Sequence, residues 1–405
     1  MNNTTPFQGK ENCCGCGACA CKCPQKAIKM QSDEYGFLYP AIKMELCISC
    51  GICKAVCPIQ NSTILCTPQA AFAVQAKDEE LLTRSSSGGA FATLAREILR
   101  NGGAVVGCAI DFTQEGAIPR HTLIFSEEEL PRLQGSKYVQ SIMGDIYHRV
   151  EMVLQSGKTV LFSGTPCEVD ALQKYLGKAY TNLLTIDVIC HGVPSSTMFA
   201  DYVRLLEKRL CGKAIDFHFR DKLQGQNFTG SITVLNSSGN LRIHTLMGNR
   251  SSYYRLFLES QTYRNSCYYC KYAGNRRPSD ITIGDYWGIE VQHPECLAAY
   301  GGAIREEKGI SCLLVNTPKG NSTIERLKND AHIVCSGHEQ VAKENKQLQS
   351  PSQPHKNRKQ IMEIYRKFGY SAVDAWFLCH AVLKKIRYFA VKASAHFRTP
   401  HNTEK

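Results

Sequence analysis

Eight cysteines near the N-terminus carry the clearest chemistry in the chain. Cys13-x2-Cys16-x2-Cys19-x3-Cys23-Pro24 is followed by Cys47-x2-Cys50-x2-Cys53-x3-Cys57-Pro58, the same four positions repeated at an offset of 34 residues. A tight loop of three cysteines wraps three corners of a cubane, and the cysteine before proline reaches across to the other cluster. On that rule one [4Fe–4S] cluster takes Cys13, Cys16, Cys19 and Cys57, and a second takes Cys47, Cys50, Cys53 and Cys23. Gly15, Gly17 and Gly51 let the loops approach without a Cβ clash. Cys-x2-Cys pairs also build zinc ribbons, but two full copies, each closed by Cys-Pro, favour iron and sulfide. Cys14 and Cys21 are surplus, either buried thiols beside the clusters or competitors for a ligand position.

Downstream, four further cysteines form a looser constellation: Cys167, Cys190 and the pair Cys267-x2-Cys270. Their placement depends on the elements that carry them. After a linker around Cys66–Pro68, strands and helices alternate. Strands are predicted at Ala70–Ala76, Gly103–Ile110, Thr159–Phe162, Leu183–Ile189 and Ile281–Ile283. Ser85–Gly89 opens a helix through Arg100, Ser126-x-x-Glu129 is a capping-box start, and a further helix covers Ile142–Gln155. Pro166 sits at the first position of a helix after Ser163–Thr165, and another helix starts at Ser195. This alternation predicts a mixed α/β body. Carboxyl ends of adjacent strands converge in such folds, so Cys167, Cys190, Cys267 and Cys270 could surround a third cluster; inert buried thiols are the alternative for Cys167 and Cys190. The small-residue turns after two of the strands, Ser86–Gly89 among them, also suit anions, because a helix N-terminus offers free N–H groups there. Neither is a GxGxxG or Walker loop, and an unliganded serine-glycine cap is the plain alternative.

Composition narrows the class. The chain has 405 residues, 43% hydrophobic and 21% charged, as an ordinary globular protein does. No run approaches a membrane span, and Met1–Lys10 lacks the apolar core of a signal peptide. The expected location is the cytoplasm. There, twenty-one cysteines indicate metal or redox chemistry rather than disulfides. The formal charge of +12 does not indicate nucleic acid. Between Lys343 and Arg398 twelve Lys or Arg face three Asp or Glu, so most of the surplus lies in the tail.

The order of motifs resembles one family. SSSGGA at Ser85–Ala90, QGSKYVQS at Gln134–Ser141, FSGTPCEV at Phe162–Val169, DVICHGVPS at Asp187–Ser195, the segment Cys267–Tyr272 and SDITIGDYWG at Ser279–Gly288 occur in sequence. Together they resemble the beta-subunit family of coenzyme F420 hydrogenases and dehydrogenases, from about Ala70 to about Ser336, in its type with a fused N-terminal ferredoxin domain. DEYGFLYP at Asp33–Pro40 fits that fused type. The resemblance implies FAD, a third [4Fe–4S] cluster on Cys167, Cys190, Cys267 and Cys270, and hydride exchange with a dissolved carrier. It also implies that Ser86, Ser87, Gly88 and Gly89 touch the flavin or its phosphates, that Lys137 and Tyr138 line the flavin site, and that Gly164 with Thr165 adds a phosphate-facing loop. His191 and Asp285 would lie near the reaction, each with a structural polar role as alternative. The substrate is not fixed by the family name, and no residue identifies a deazaflavin pocket.

The organisation expected is therefore a small bacterial-type α+β ferredoxin domain at 1–68, a mixed α/β catalytic body in two parts at 69–150 and 151–336, and a basic helical tail at 337–405. The function expected is an iron–sulfur flavoprotein oxidoreductase that exchanges hydride between FAD and a small-molecule donor or acceptor. Single electrons would pass through its clusters to or from a soluble carrier or redox partner protein. A non-catalytic electron-transfer subunit is the main rival; a metal-binding structural protein with decayed redox sites, and a cysteine nucleophile at Cys167 or Cys190 with His191 as base, are weaker ones, since adjacent residues rarely make a catalytic pair. Ser350–Pro354 signals a linker. The helix after it, with Trp376, Phe377, Lys384, Lys385, Arg387 and Lys392, could touch a membrane surface or an acidic partner, or pack on its own protein.

Overall fold

The structure, a computed structural model, describes residues 5–61, 64–225 and 228–396, with side chains up to residue 380. The N-terminal unit is a hairpin of β1 (Ile28–Ser32) and β2 (Leu38–Ile42) flanked by the short helices Ala18–Lys22 and Ile52–Ala55. Each helix follows a glycine in the left-handed region, Gly17 at φ 73° and Gly51 at φ 75°. These glycines are required by backbone conformation rather than by space.

The body is an eight-stranded sheet. Its strands are β3 (Ala70–Ala76), β4 (Ala104–Thr113), β5 (Gly116–Ile124), β6 (Val160–Gly164) and β7 (Leu183–Val188). A smaller three-stranded sheet follows in the chain, made of β8 (Gly212–His218), β9 (Thr229–Asn236) and β10 (Leu241–Met247). The large sheet is then completed by β11 (Ile281–Asp285), β12 (Ser311–Val315) and β13 (Ala331–Ser336), in the order β13-β3-β12-β11-β7-β6-β4-β5. β4, β6, β7 and β11 run parallel. The carboxyl ends of β6, β7 and β11 therefore lie side by side, where open parallel sheets place their sites.

Buried residues alternate between the two faces. On β6, Val160 and Phe162 face the helices Ile146–Gln155 and Pro166–Leu176, and Leu161 faces the side of the helices Ala90–Arg100 and Pro318–Leu327. Cys16, Ala18 and Val56 pack into the first of these layers, so the ferredoxin unit shares the core of the body. An aromatic core of Phe199, Tyr202, Phe217, Phe219, Tyr253 and Tyr254 joins the small sheet to Phe37 and Tyr39 of the hairpin.

Three local expectations differ. Ser126 does not cap a long helix: the Glu129 side chain turns back to accept the Phe125 N–H at 3.3 Å, and only the short helix Leu130–Leu133 follows. The Ser350–Pro354 segment is tied to the body, with Ser352 Oγ donating to the His191 carbonyl at 2.6 Å. The helical segment Arg358–His396, broken at Gly369 with φ 73°, packs its first part on the body as far as Asp374, while Leu378, Cys379 and His380 are exposed. Ile361, Tyr370 and Val373 are buried, and Tyr35 of the ferredoxin unit donates to Glu363 at 2.7 Å. Lys384, Lys385, Arg387 and Lys392 lie outside the described residues as far as their side chains are concerned. Among the described residues, no helix is long and apolar enough to cross a membrane.

Asp374 anchors this segment. It accepts from Ser252 Oγ at 2.5 Å and from Arg209, and Ser252 also meets the Tyr370 hydroxyl at 2.9 Å. Because Arg209 is half exposed, the buried hydroxyl pair carries most of the effect. Asp374→Ala is expected to destabilise the fold by about 2 kcal/mol, read as a lower urea midpoint for tail-body unfolding; an unchanged midpoint would show the contact to be dispensable.

Candidate functional site

The first cysteine set converges. Cys13, Cys16, Cys19 and Cys57 line one small void, together with Cys14 and Cys53. The proline-adjacent cysteine of the second motif thus joins the first three, as the crossover rule requires. Backbone N–H groups point at these sulfurs: that of Gly15 at Cys13, Ala18 at Cys16, Ala20 at Cys19, and Ile59 and Gln60 at Cys57. A neutral thiol in apolar surroundings needs no such donors, whereas a thiolate does. Burial pushes the Cys13 thiol up to about 11 and raises Cys19 and Cys57. Cys47 and Cys50 lie close enough to Cys53 for their charges to act on it, and Cys50 is exposed, which puts the second set at the surface. Met44, Leu46 and Ile48 are exposed just before it in the chain.

Cys167, Cys190, Cys267 and Cys270 also come together. Cys190 feels Cys267 and Cys270, and Cys167 feels Cys270. Burial raises Cys190 and pushes Cys267 up to about 12, while the N–H groups of Gly192, Val193 and Tyr272 point at Cys190, Cys267 and Cys270. Four half-buried thiols, three with backbone N–H groups aimed at their sulfurs and Cys167 beside the Thr165 hydroxyl, fit a [4Fe–4S] group. Among the described residues no three His, Cys, Asp or Glu converge tightly enough to hold a single metal ion. At Zn–S bonds of about 2.3 Å a tetrahedral zinc would need such close packing; the corners of a larger cluster lie further apart.

Cys14 is the residue that sequence reasoning left without a role. Its thiol hydrogen-bonds with both Cys16 and Cys167, one from each set. No spacing rule could have shown this, because it depends on the docking of two separate folding units. Three body side chains hold the loop in place. Arg264 Nε donates to the Cys13 carbonyl at 2.7 Å, Gln140 Nε2 to that of Cys14 at 2.9 Å, and Tyr147 Oη to that of Cys16 at 3.0 Å. Lys271, next to Cys270, donates to the Pro58 carbonyl. Cys21 faces away, toward Tyr175 and the His148 backbone.

At the carboxyl edge of the sheet lies a cavity of about 320 Å³, within the range of ligand pockets. Ser86, Ser87, Gly89, Lys137, Tyr138, Gly164 and Thr165 line it, as do His191, Asp285 and Cys190. Gly88 stands behind the wall; a Cβ there would lie 2.2 Å from the Val74 carbonyl oxygen. The turn is pinned from several sides. The Ser136 N–H donates to Ser86 Oγ at 2.7 Å, joining two of the lining loops, and Ser87 Oγ donates to the Ile310 carbonyl at 2.7 Å. Lys222, held by burial near a pKa of about 7, donates to the carbonyls of Leu82, Ser87 and Lys308.

Other side chains on the cavity differ in how free they are. Lys137 is held down to about 8 by burial, with Cys108 and Asp216 opposing, and donates to the Gln134 carbonyl at 2.6 Å. Tyr138 stacks on Phe257 at 4.6 Å between centroids. Asp285 accepts two bonds from Arg220, at 2.9 and 2.7 Å, and Arg220 also reaches the Tyr138 hydroxyl. The Thr165 N–H is already taken by Glu168 at 2.8 Å, and its hydroxyl meets Cys167 Sγ at 3.2 Å, so this residue faces the thiol set as well as the cavity. Burial lowers His191. His121 Nε2 lies 3.0 Å from the Ser163 carbonyl, which can only accept, so Nδ1 accepts from Ser141 at 2.7 Å.

The loop of the third thiol set hangs on one buried ion pair. Arg277 Nη2 meets Asp187 Oδ1 at 2.6 Å, both side chains sealed from solvent, and Arg277 also donates to the carbonyls of Tyr272 and Val188. Asp187→Asn is expected to cost about 3 kcal/mol by stranding that charge, whereas Asp187→Asn with Arg277→Met should recover most of it. Unfolding midpoints of the two variants measure this; equal loss in both would rule out the ion pair as the cause.

Comparison with known proteins gives three family matches. The C-terminal domain of the coenzyme F420 hydrogenase/dehydrogenase beta subunit matches residues 157–340, the N-terminal domain of the same beta subunit matches 71–146, and the 4Fe-4S dicluster domain matches 12–61. No match was found among functionally curated proteins. Among solved structures, a chain of the F420-reducing [NiFe] hydrogenase complex from Methanosarcina barkeri, studied by xenon derivatization, aligns at 16% identity and a TM-score of 0.42. The alignment covers 74% of this chain and 93% of that one.

Proposed function

The chain belongs to the coenzyme F420 hydrogenase/dehydrogenase beta-subunit family and carries an N-terminal 4Fe–4S dicluster domain, and from that premise we propose that it is a flavin- and iron–sulfur-dependent oxidoreductase. It would exchange hydride between FAD and a small-molecule carrier and pass single electrons to or from a redox partner protein. One observation supports this reading above the others. Cys190 belongs both to the wall of the cavity and to the four-thiol set, and that set touches the first ferredoxin set through Cys14. A flavin supplies two-electron hydride exchange and [4Fe–4S] clusters supply one-electron steps, which is what such an arrangement joins.

The chain's own residues take the remaining tasks. Gly89, Ala90 and Phe91 bring the first turn of the helix Ala90–Arg100 to the cavity, where its unpaired N–H groups can hold phosphate. Ser86 keeps a hydroxyl proton to donate, and Lys137 supplies a cation. Tyr138, Phe228 and Trp287 offer flat faces for a ring system. His191, kept neutral by burial, can take a proton at a ring nitrogen. Asp285, committed to Arg220, fixes the wall rather than acting as a free base. The exposed edge around Cys50 is where a redox partner would dock. Twenty-one free thiols suit a reducing compartment, the cytoplasm.

Anaerobic purification with cluster reconstitution should yield about twelve irons and one FAD per chain, three clusters of four irons each. About eight irons without flavin would instead favour an electron-transfer subunit. FAD affinity is expected to fall as pH rises through about 8, where Lys137 loses its proton. Lys137→Met should weaken binding about tenfold below that pH, ~1.4 kcal/mol, and remove the dependence. Fluorescence titration of both proteins with FAD measures this; identical pH profiles would exclude Lys137 from the site.

A further inference from the structure

Among the described residues two arginines are fully buried, and they differ in what balances them. Arg277 has Asp187. Arg264 donates to the carbonyls of Cys13 and Leu38, both at 2.7 Å, and to Gln140 Oε1 at 3.0 Å, and none of these partners is a carboxylate. Its guanidinium lies 4.0 Å from the centroid of the Tyr39 ring, and Nη2 lies 3.8 Å from Cys13 Sγ. An uncompensated buried ion is strongly unfavourable, and an aromatic face offsets only part of that. Protein carbonyls complete its hydrogen bonds but do not cancel its charge. The ionisable groups placed to act on its charge are Cys13, Tyr39, Cys14 and Cys267. One of these belongs to the first ferredoxin set and another to the set in the body.

The backbone of the same residue repeats that connection. The Arg264 N–H donates to the Val193 carbonyl at 2.9 Å, next to the Cys190 loop, and its carbonyl accepts the Cys267 N–H at 3.0 Å. Room for the guanidinium is made by Gly15, where a Cβ would lie 2.7 Å from Nη1 and from Gln140 Nε2. The arrangement is suited to an anion that is present only when the thiol sets are loaded. A cubane held by four thiolates carries a net charge of roughly −2.

We propose that Arg264 is the shared counter-charge of two clusters, the one held by Cys13, Cys16, Cys19 and Cys57 and the one held by Cys167, Cys190, Cys267 and Cys270, raising the reduction potential of both. This rests on the reading of those two sets as cluster ligands. Arg264 is a positioning and tuning residue: it touches ligands and not the substrate.

The test is a redox titration followed by electron paramagnetic resonance on the full chain, reconstituted anaerobically. In Arg264→Gln both cluster potentials should fall by about 59 mV or more, a tenfold change in a one-electron equilibrium, with iron content unchanged. Arg264→Lys, which keeps the charge and loses the fork of donors, should stay near the parent. Gln140→Glu sets a carboxylate against Nη1 with little change of shape and should lower both potentials together; it carries the test where Arg264→Gln does not load. Loaded variants with the parent's potentials would overturn the proposal and leave Arg264 a clamp, as would Arg264→Lys shifting as far as Arg264→Gln. A parent chain lacking the third cluster's signal would overturn the ligand reading on which the proposal stands, an outcome separable from unmoved potentials.

Discussion

Three hydrogen bonds from the body to the Cys13–Cys16 loop govern how the whole molecule is arranged. Arg264, Gln140 and Tyr147 each donate to a different carbonyl of that loop. They hold the two families of thiols close together, and electron tunnelling falls steeply with separation. Carbonyls inside a cysteine loop are poor candidates for solvation once the loop is buried, so they must be answered by side chains. Because Gln140 comes from the loop after the helix Leu130–Leu133, Tyr147 from the next helix and Arg264 from the loop before Cys267, three parts of the body must be in place before the ferredoxin unit can seat. Its position is therefore a property of the complete fold rather than of a flexible tether.

The same logic explains why the hairpin of the ferredoxin unit and the first part of the helical segment Arg358–His396 are woven into the centre. The hairpin turn after Asp33 meets Ser195 and Thr197 at the start of the helix Ser196–Leu210, and Tyr35 meets Glu363 near the other end of the chain. Cys66, in the stretch that reads as a linker, pairs with Arg277 through backbone bonds of 2.8 Å in both directions. A unit recognisable as a separate domain in sequence is thus embedded physically. The large sheet contributes by setting the carboxyl ends of β6, β7 and β11 next to one another, which gathers the cavity wall and two of the thiol-bearing loops at one edge.

Much of this was legible from sequence where the relevant chemistry is local. The spacing of the N-terminal cysteines suggests a grouping, since a loop of three ligands and a proline-adjacent fourth leave few arrangements, and Cys13, Cys16, Cys19 and Cys57 line one void. Strand-turn-helix junctions around Ser86, Gly164 and His191 could be placed for the same reason. Cys167, Cys190 and the Cys267 pair are far apart in the chain, so strand order alone could only suggest their grouping, and the resemblance strengthened it. Cys14 could be read only as a surplus thiol beside the clusters or a competing ligand, and Arg264 carried no signal, because its surroundings are built from residues 251 positions apart. Arg220 and Lys222 were missed likewise, since a charged pair after a strand reads as surface until its partners are known. The tail's composition left surface contact and packing on its own protein both open, and Tyr365, Tyr370 and Asp374 turn the first part of it inward.

The break between local and distant ligands has a consequence for biogenesis. The eight N-terminal cysteines leave the ribosome together, ahead of the body. The set in the body spans residues 167 to 270 and cannot exist until most of the chain has been made. Arg264 arrives only with that second set. During synthesis the ferredoxin loops are therefore open to metal delivery while the guanidinium that later sits against Cys13 is still absent. Folding of the body then closes over that loop, so the order of translation also sets the order in which these thiols are covered.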